Sequence, residues 1–181
     1  NEYGIAAYKS VDKFAQREVE WLLQIGGISI EYQKPLGPDL TLATLENTFD
    51  AVFLAIGLGG VNALFGSDDQ YSSVHAAVDF IADLRQSENL AAFPVGRRVV
   101  VVGGGRTAID AAVQSKLLGA DEVTLVYRRD RSAMPASKYE QDLATSKGGR
   151  FIFNAQPVEV IGPLGSTSMR FEYTQASEAG L

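Results

Sequence analysis

Hydrophobic and polar positions follow one another along the chain in patterns that predict alternating helices and strands. From Val11 to Ile25 the apolar residues recur mostly every three or four positions, which predicts an amphipathic helix. Ile28 to Tyr32 alternates like a half-buried strand, and Thr41 to Glu46 is expected to form a short helix. The run Ala51 to Ile56 is apolar throughout, as in a strand buried on both faces. Such strands belong to parallel sheets covered by helices, so the pattern favours an α/β fold.

The second half of the chain has the clearest order of elements. Val74 to Leu84 predicts a helix, and Val99 to Val102 predicts a strand that runs into three glycines. A helix from Thr107 to Leu118 and a strand from Val123 to Tyr127 complete a βαβ unit of about 30 residues, the length typical of that motif. Later elements are a helix beginning near Pro135 with Tyr139 and Leu143 facing inward, and strands near Phe151, Val158 and Phe171.

The glycine turn of the βαβ unit carries the pattern G-x-G-x-x-A. It is formed by Gly103, Gly104, Gly105, Arg106, Thr107 and Ala108. In this pattern the first glycine makes a tight turn, the second lets a pyrophosphate approach the backbone, and the alanine allows close packing of helix on strand. Free N–H groups at the start of the helix would face the phosphates, and Thr107 adds a hydroxyl. We expect a dinucleotide to bind here; the alternative is a strand-to-helix turn that binds no nucleotide.

A basic pair, Arg128-Arg129, follows the second strand of the unit, about 20 residues beyond the glycines. A carboxylate at this point would receive the ribose hydroxyls of NAD, but Asp130 comes one residue too late. Two guanidinium groups can instead bind a 2′-phosphate, so NADP is the expected cofactor and NAD the alternative. A merely solvated basic pair is the competing interpretation. The missing carboxylate also disfavours a methyltransferase.

Composition excludes most chemistry by side chains. With no cysteine and one histidine, His75, the chain has no thiol nucleophile and no multi-histidine metal centre, so no metal site is expected. A lone histidine is more often a surface or packing residue than a proton-transfer group. The formal charge of -6 argues against nucleic acid or anionic lipid as a partner, and no apolar run approaches the ~20 residues of a membrane-spanning helix. We therefore expect a cytoplasmic protein.

Three further features leave alternatives open or extend the picture. Gly57-Leu58-Gly59-Gly60 follows an expected strand, so a second nucleotide turn competes there with a crossover loop between subdomains. Asp110 lies in the first turn of the glycine-headed helix, where a carboxylate favours the helix dipole and a structural role is expected. The chain begins without an initiator Met or a leader, and we expect a piece of a longer protein.

Four groups of residues form a specific combination over nearly the whole chain. They are Tyr3-Gly4-Ile5 with Tyr8-Lys9, the strand Asp50 to Gly57, the turn Val102 to Asp110, and Tyr127 to Asp130 with Met134 to Ser137. Together they resemble the glutamate synthase small-subunit family, which includes the electron-input module of dihydropyrimidine dehydrogenase. The stretch Ala136 to Gly148 looks closest to the pyridine-nucleotide-oxidising subunit of the bacterial dihydropyrimidine dehydrogenases. Arg106 departs from the glutamate synthase relatives, which usually carry Asp or Asn at this position.

The resemblance implies an oxidoreductase module in which NAD(P)H binds to a Rossmann-like domain with a parallel sheet and passes hydride to FAD. It places residues 1–60 in a partial FAD-binding domain, with Ala55, Ile56 and Gly57 approaching the FAD, and residues 61–181 in the NAD(P)-binding domain. The implied partners are the remainder of the flavoprotein and a catalytic partner subunit, and this piece is not expected to be active alone.

The cofactors would do the reacting, so no catalytic side chain is assigned. The distal reaction implied by the resemblance is either reduction of a pyrimidine or a glutamate-forming step. The competing function is a non-catalytic dinucleotide-binding or assembly module.

Overall fold

The computed structural model describes residues 3–57, 64, 73–162 and 168–175, and the chain divides into two compact units. The smaller unit is formed by residues 16–60. The larger unit combines residues 61–181 with residues 1–15, so the N-terminal segment packs with the second half of the chain. A domain boundary after residue 60 stays a prediction.

Two helices account for the regular structure among the described residues of the smaller unit. Helix α1 (Phe14–Leu23) lies in this unit except for its first two residues. Helix α2 (Leu42–Thr48) has Thr41 as its N-cap, and the Thr41 hydroxyl accepts a hydrogen bond from the Thr44 N–H at 3.1 Å. Both helices confirm the sequence prediction. The strands predicted over 28–32 and 51–56 are wrong, because a strand needs a hydrogen-bonded neighbour and the described residues of this unit provide none. Phe53 is accordingly 91% exposed.

A three-stranded parallel sheet forms the centre of the larger unit. Its strands lie in the order β1 (Arg98–Val102), β2 (Glu122–Tyr127), β3 (Gly149–Phe153). Val102 is paired with Val126, so the carboxyl ends of β1 and β2 lie side by side. The predicted α/β fold with a parallel sheet is thereby confirmed.

Helices α3 (Ala77–Gln86), α4 (Arg106–Leu117) and α5 (Lys138–Ser146) pack in the same unit. Helix α4 packs against strands β1 and β2 and against helices α3 and α5. Its Ile109 and the Leu125 of β2 are fully buried, and each such side chain stabilises the fold by about 1.5–3 kcal/mol. The helix ends before Gly119, whose φ of 103° is readily adopted only by glycine.

The remaining described strands form an antiparallel pair, β4 (Ala155–Ile161) and β5 (Ser168–Tyr173). Asn154, with φ 55°, separates β3 from β4. Helix α5 begins three residues later than predicted, because Ser137 serves as its N-cap. The inward orientation predicted for Leu143 is confirmed by its packing against the core, whereas that for Tyr139 is wrong, since this side chain is 77% exposed.

Candidate nucleotide-binding site

The turn between β1 and α4 starts directly at the carboxyl end of the sheet. Gly103 donates its N–H to the carbonyl of Val126 at 3.0 Å. Its φ of 141° lies in the region that favours glycine, and a Cβ built there would lie 3.4 Å from the Cβ of Ala108. Gly103 and Ala108 thus bring the start of the helix close to the end of the strand.

Gly104, the middle glycine, is buried under the ring of Tyr127. A Cβ on Gly104 would lie 2.5 Å from two carbons of that ring, closer than a side chain tolerates. The hydroxyl of Tyr127 donates to the carbonyl of Ala133 at 2.8 Å, and the Ala136 N–H donates to the carbonyl of Gly104 at 3.0 Å. The loop after β2 is thereby fastened onto the glycine turn. The sequence pattern leaves this middle position unspecified and carries no signal for the Tyr127 contact.

Gly105 is the N-cap of α4 and leaves the helix end open. The N–H groups in the first turn of any α-helix lack intrahelical partners, and no side chain caps those of α4. A Cβ on Gly105 would meet nothing within 4 Å, while Arg106 and Thr107 next to it are exposed. A helix N-terminus with free N–H groups, open space in front of it and a cation beside it has the features that bind phosphate oxygens.

The basic pair lies at the end of the neighbouring strand β2. Arg128 is exposed and Arg129 is half-buried. Their backbone is held by residues that flank the antiparallel pair: the Thr174 hydroxyl donates to the Arg128 carbonyl at 2.6 Å, and the Asn154 N–H donates to the Arg129 carbonyl at 3.1 Å. Because β1 and β2 are adjacent and parallel, the glycine turn and the arginine pair share one edge of the sheet.

Asp130 uses one oxygen of its carboxylate within its own loop. Its Oδ1 accepts hydrogen bonds from the N–H groups of Ser132 at 2.7 Å and Ala133 at 3.1 Å, and so caps a short 3-10 helix over Arg131–Ala133. The hydrogen bond from the Ser132 hydroxyl, with those two backbone bonds, lowers the pKa of Asp130 below its usual range. A carboxylate two and three residues before such donors is a recognisable turn signal, and the sequence prediction did not use it.

A polar network lies behind the glycine turn, between α4, α5 and the N-terminal segment. The Lys9 ammonium lies 2.8 Å from Oδ1 of Asp110 and 3.1 Å from Oε1 of Glu140. The Tyr8 hydroxyl donates to the same Asp110 oxygen at 2.5 Å. The two carboxylate side chains are only 8% and 11% exposed. Asp110 lies in the second turn of α4 rather than in the first, and its ion pair with Lys9 is not evident from its position in the sequence.

The network shifts pKa values in directions that keep Lys9 and Glu140 charged. Burial acts to lower the pKa of Lys9, but its hydrogen bonds to Asp110 and Glu140 outweigh burial and raise this pKa above 10.5. Burial acts to raise the pKa of Glu140, but hydrogen bonds from Ser137 and Lys9 bring it below 4.5. Burial and the hydrogen bond to Asp110 strongly raise the pKa of Tyr8, which stays a neutral donor.

The other predicted site residues lie in the smaller unit. Ala55, Ile56 and Gly57 belong to an exposed segment without strand pairing, and Ile56 is 74% exposed. Gly57 has φ 70°, and a Cβ there would meet nothing within 4 Å. This segment forms no cradle by itself, and its approach to FAD stays a prediction. The glycines Gly59 and Gly60 of the second candidate turn lie outside the described residues.

Few other groups in the described ranges could carry chemistry. His75 is exposed and lies just before α3. Across residues 3–57, 64, 73–162 and 168–175, no three His, Asp or Glu side chains are grouped as metal ligands would be. Within the same ranges, no helix is both long and apolar enough to span a membrane.

Known proteins match this chain over most of its length. The family model described as pyridine nucleotide-disulphide oxidoreductase matches residues 2–178. The chain is 37% identical over 161 residues to the NADPH-Fe(3+) oxidoreductase subunit beta of Geobacter sulfurreducens, a match covering 87% of this chain and 23% of that protein.

Two relatives belong to the group recognised from the residues. The glutamate synthase (NADPH) small chain of Escherichia coli is 33% identical over 190 residues, covering 97% of this chain and 39% of the relative. The NAD-dependent dihydropyrimidine dehydrogenase subunit PreT homolog of Salmonella typhi is 31% identical over 164 residues, covering 88% and 38%. These matches confirm the resemblance. The chain spans between about a quarter and two fifths of these relatives' lengths.

Proposed function

Because the chain belongs to the pyridine nucleotide-disulphide oxidoreductase family, we propose that its larger unit binds NADPH, whose hydride passes to FAD held by the whole protein. One observation carries the proposal. The open N-terminus of α4 and the pair Arg128-Arg129 lie at the same edge of the parallel sheet, at the ends of adjacent strands. In a dinucleotide-binding βαβ unit the pyrophosphate lies at the helix N-terminus and the adenosine ribose lies near the end of the second strand.

The pyrophosphate is bound in this proposal by the start of α4. Gly105 leaves room for phosphate oxygens to reach the backbone, and the first-turn N–H groups donate to them. Thr107 adds a hydroxyl donor, and the exposed Arg106 adds a positive charge. Gly103 and Gly104 shape the turn without a direct role in donating to the ligand.

The adenosine 2′-phosphate is selected by Arg128 and Arg129. Guanidinium groups bind a phosphate through paired, charge-assisted hydrogen bonds. The nearest carboxylate in the sequence, that of Asp130, has its Oδ1 bound by the N–H groups of Ser132 and Ala133, so this oxygen is not available to ribose hydroxyls. The relatives' names mention NADPH in two cases and NAD in one, so the arginine pair is the basis for the choice of NADPH.

The nicotinamide supplies the hydride and the flavin accepts it, so the protein's contribution is binding and orientation. No described side chain is assigned as a catalytic acid or base. The relatives named as a beta subunit and a small chain suggest that the whole protein delivers its electrons to a catalytic partner subunit. The partner's substrate is not identified by any residue of this chain.

The arginine pair provides the test of this proposal. Changing Arg128 and Arg129 together to Ala should weaken NADPH binding roughly 10–100-fold, since a hydrogen bond to a charged group contributes about 1.5–3 kcal/mol. NADH, which lacks the 2′-phosphate, should be affected by less than about threefold. The measurement is the half-saturating concentration of each nucleotide in anaerobic flavin reduction by the intact protein.

The chain contains a matched control for the loss of two positive charges. Arg97 and Arg98 form a second basic pair at the opposite, amino end of β1, and Arg97 is ion-paired with Asp121 at 2.7 Å. Arg97→Ala with Arg98→Ala should leave the preference for NADPH over NADH unchanged. Equal loss of both nucleotides in the Arg128/Arg129 variant would contradict the assignment of the pair to the 2′-phosphate.

A further inference from the structure

Lys9 is the cation between two nearly buried carboxylates just behind the proposed pyrophosphate site. It contacts Asp110 on α4 at 2.8 Å and Glu140 on α5 at 3.1 Å, and its own side chain is 30% exposed. Asp110 lies only four residues beyond Arg106, the first residue of α4. Without Lys9, its negative charge would face the same end of the helix that binds the phosphates.

Glu140 connects this network to the glycine turn. Its Oε1 is bound by Lys9, while its Oε2 lies 3.9 Å from the Nε of Arg106, which is 78% exposed. Lys9 and Arg106 are thus two cations beside one carboxylate. Removal of Lys9 would leave Arg106 as the nearest cation to Glu140, and would draw its guanidinium away from the ligand.

The backbone around Lys9 is anchored to helices α4 and α3. The Ala7 N–H donates to Oε1 of Gln114 on α4 at 2.7 Å, and the Ser10 carbonyl accepts from the Arg85 guanidinium of α3 at 2.8 Å. The segment forms a single 3-10 turn, Ala7–Lys9, between these two anchors. The backbone that carries Lys9 is therefore anchored on both sides, and its ammonium is held by Asp110 and Glu140.

We propose that Lys9 is a positioning residue for dinucleotide binding: its positive charge partly offsets the charges of Asp110 and Glu140, so that the start of α4 stays positive and Arg106 stays available to the pyrophosphate. This inference rests on the proposed function. Charges that are largely withdrawn from solvent are weakly screened, so a carboxylate in the second turn of α4 that has lost its cation would oppose phosphate binding at the start of the same helix. Since NADPH and NADH share the pyrophosphate, the effect applies equally to both, unlike that of Arg128 and Arg129.

The test is calorimetric titration of the intact flavoprotein with NADP⁺ and with NAD⁺, which needs no turnover. Lys9→Met should weaken both nucleotides by roughly tenfold, whereas Lys9→Arg should keep the affinity of the unchanged protein. Adding Asp110→Asn to Lys9→Met should restore most of the loss, since Asn keeps an oxygen acceptor for the Tyr8 hydroxyl while removing the charge. Lys147→Met is the matched control, because Lys147 lines the same surface cavity as Lys9 but forms no ion pair with Asp110 or Glu140.

Asp110→Asn alone decides the matter if Lys9→Met does not fold. It leaves Lys9 paired with Glu140 and should tighten binding of both nucleotides. The proposal is overturned if Asp110→Asn leaves both affinities unchanged, or if Lys9→Met lowers affinity and Asp110→Asn fails to restore it. If the unchanged protein binds neither nucleotide, the proposed function falls together with the role of Lys9. If it binds both and the Lys9 variants bind equally well, only the role of Lys9 falls.

Discussion

The three consecutive glycines of the turn are required for different physical reasons. Gly103 has a φ of 141°, which a side chain rarely allows. Gly104 lacks room, because the Tyr127 ring occupies the place of a Cβ. Gly105 has an ordinary φ of -86° and open space around it, so neither its backbone conformation nor the space around it requires a glycine. A ligand that approaches the backbone does explain it.

Alanine substitutions at the last two glycines should therefore separate folding from binding. Gly104→Ala should lower the stability of the fold by about 1–3 kcal/mol, because the Tyr127 ring has to move. Gly105→Ala should cost less than about 1 kcal/mol, yet it should reduce dinucleotide affinity more than tenfold by blocking the approach of the pyrophosphate. Thermal unfolding and nucleotide titration of each variant measure the two effects. A Gly105→Ala protein that binds nucleotide normally would remove the reason for placing the pyrophosphate at this turn.

At the residue scale the sequence predicts the contacts that depend on local spacing and misses those that do not. Gly103, Gly105 and Ala108 follow from a pattern six residues long. The bond from Tyr8 to Asp110 joins residues 102 positions apart, and that from Lys9 to Glu140 joins residues 131 apart. No periodicity relates such positions, so only the packing of helices α4 and α5 against the N-terminal segment reveals them.

At the scale of elements, helix α5 owes its start to a reciprocal cap. The Ser137 hydroxyl accepts from the Glu140 N–H, and the Glu140 carboxylate accepts from the Ser137 N–H at 3.0 Å. The same carboxylate also receives the Lys9 ammonium. Hydrogen bonds and charge thus bring the Glu140 pKa below its ordinary 4.5 in spite of burial. The stability that this cap gives to the start of α5 therefore depends on pH.

The sign of this pH dependence follows from the lowered pKa. Stability contributed by ionised Glu140 is fully present above its unfolded value of 4.5 and is lost as the pH falls through the lower folded value. Glu140→Gln should therefore be less stable than the unchanged protein at neutral pH, and the difference should shrink below pH 4.5. Thermal unfolding of both proteins over an acid pH series measures it. Glu122→Gln, at the exposed start of β2, is the control; a difference that stays constant through the acid range would contradict this role of Glu140.

Elements with local signals are predicted well, and those that depend on a partner are not. The βαβ unit is found because its strands, glycines and helix each follow a distinct pattern in order. The run Ala51 to Ile56 has the composition of a buried strand, yet it has no regular secondary structure and is largely exposed. Composition reports which residues suit a sheet, whereas the neighbouring strand that would bury them is a property of tertiary structure.

At the scale of the whole molecule, the two units stand differently toward the proposed reaction. The larger unit contains the glycine turn, the arginine pair and the Lys9 network, to all of which we assign a role in the proposed nucleotide binding. The smaller unit offers Ala55, Ile56 and Gly57, whose approach to a flavin rests on the resemblance alone. The matched region is 23% of the relative named as an oxidoreductase subunit and 39% of the one named as a small chain, so hydride transfer has to be tested on the intact protein.

The passage of hydride from NADPH to FAD is tested by mixing the intact protein with NADPH without oxygen and following the absorbance of its flavin. We expect the protein to be isolated with bound flavin, and one equivalent of NADPH to bleach it as NADP⁺ forms. Binding of NADPH to a protein whose flavin stays oxidised, or that carries and accepts no flavin, would contradict the account and favour a module that binds the dinucleotide without hydride transfer.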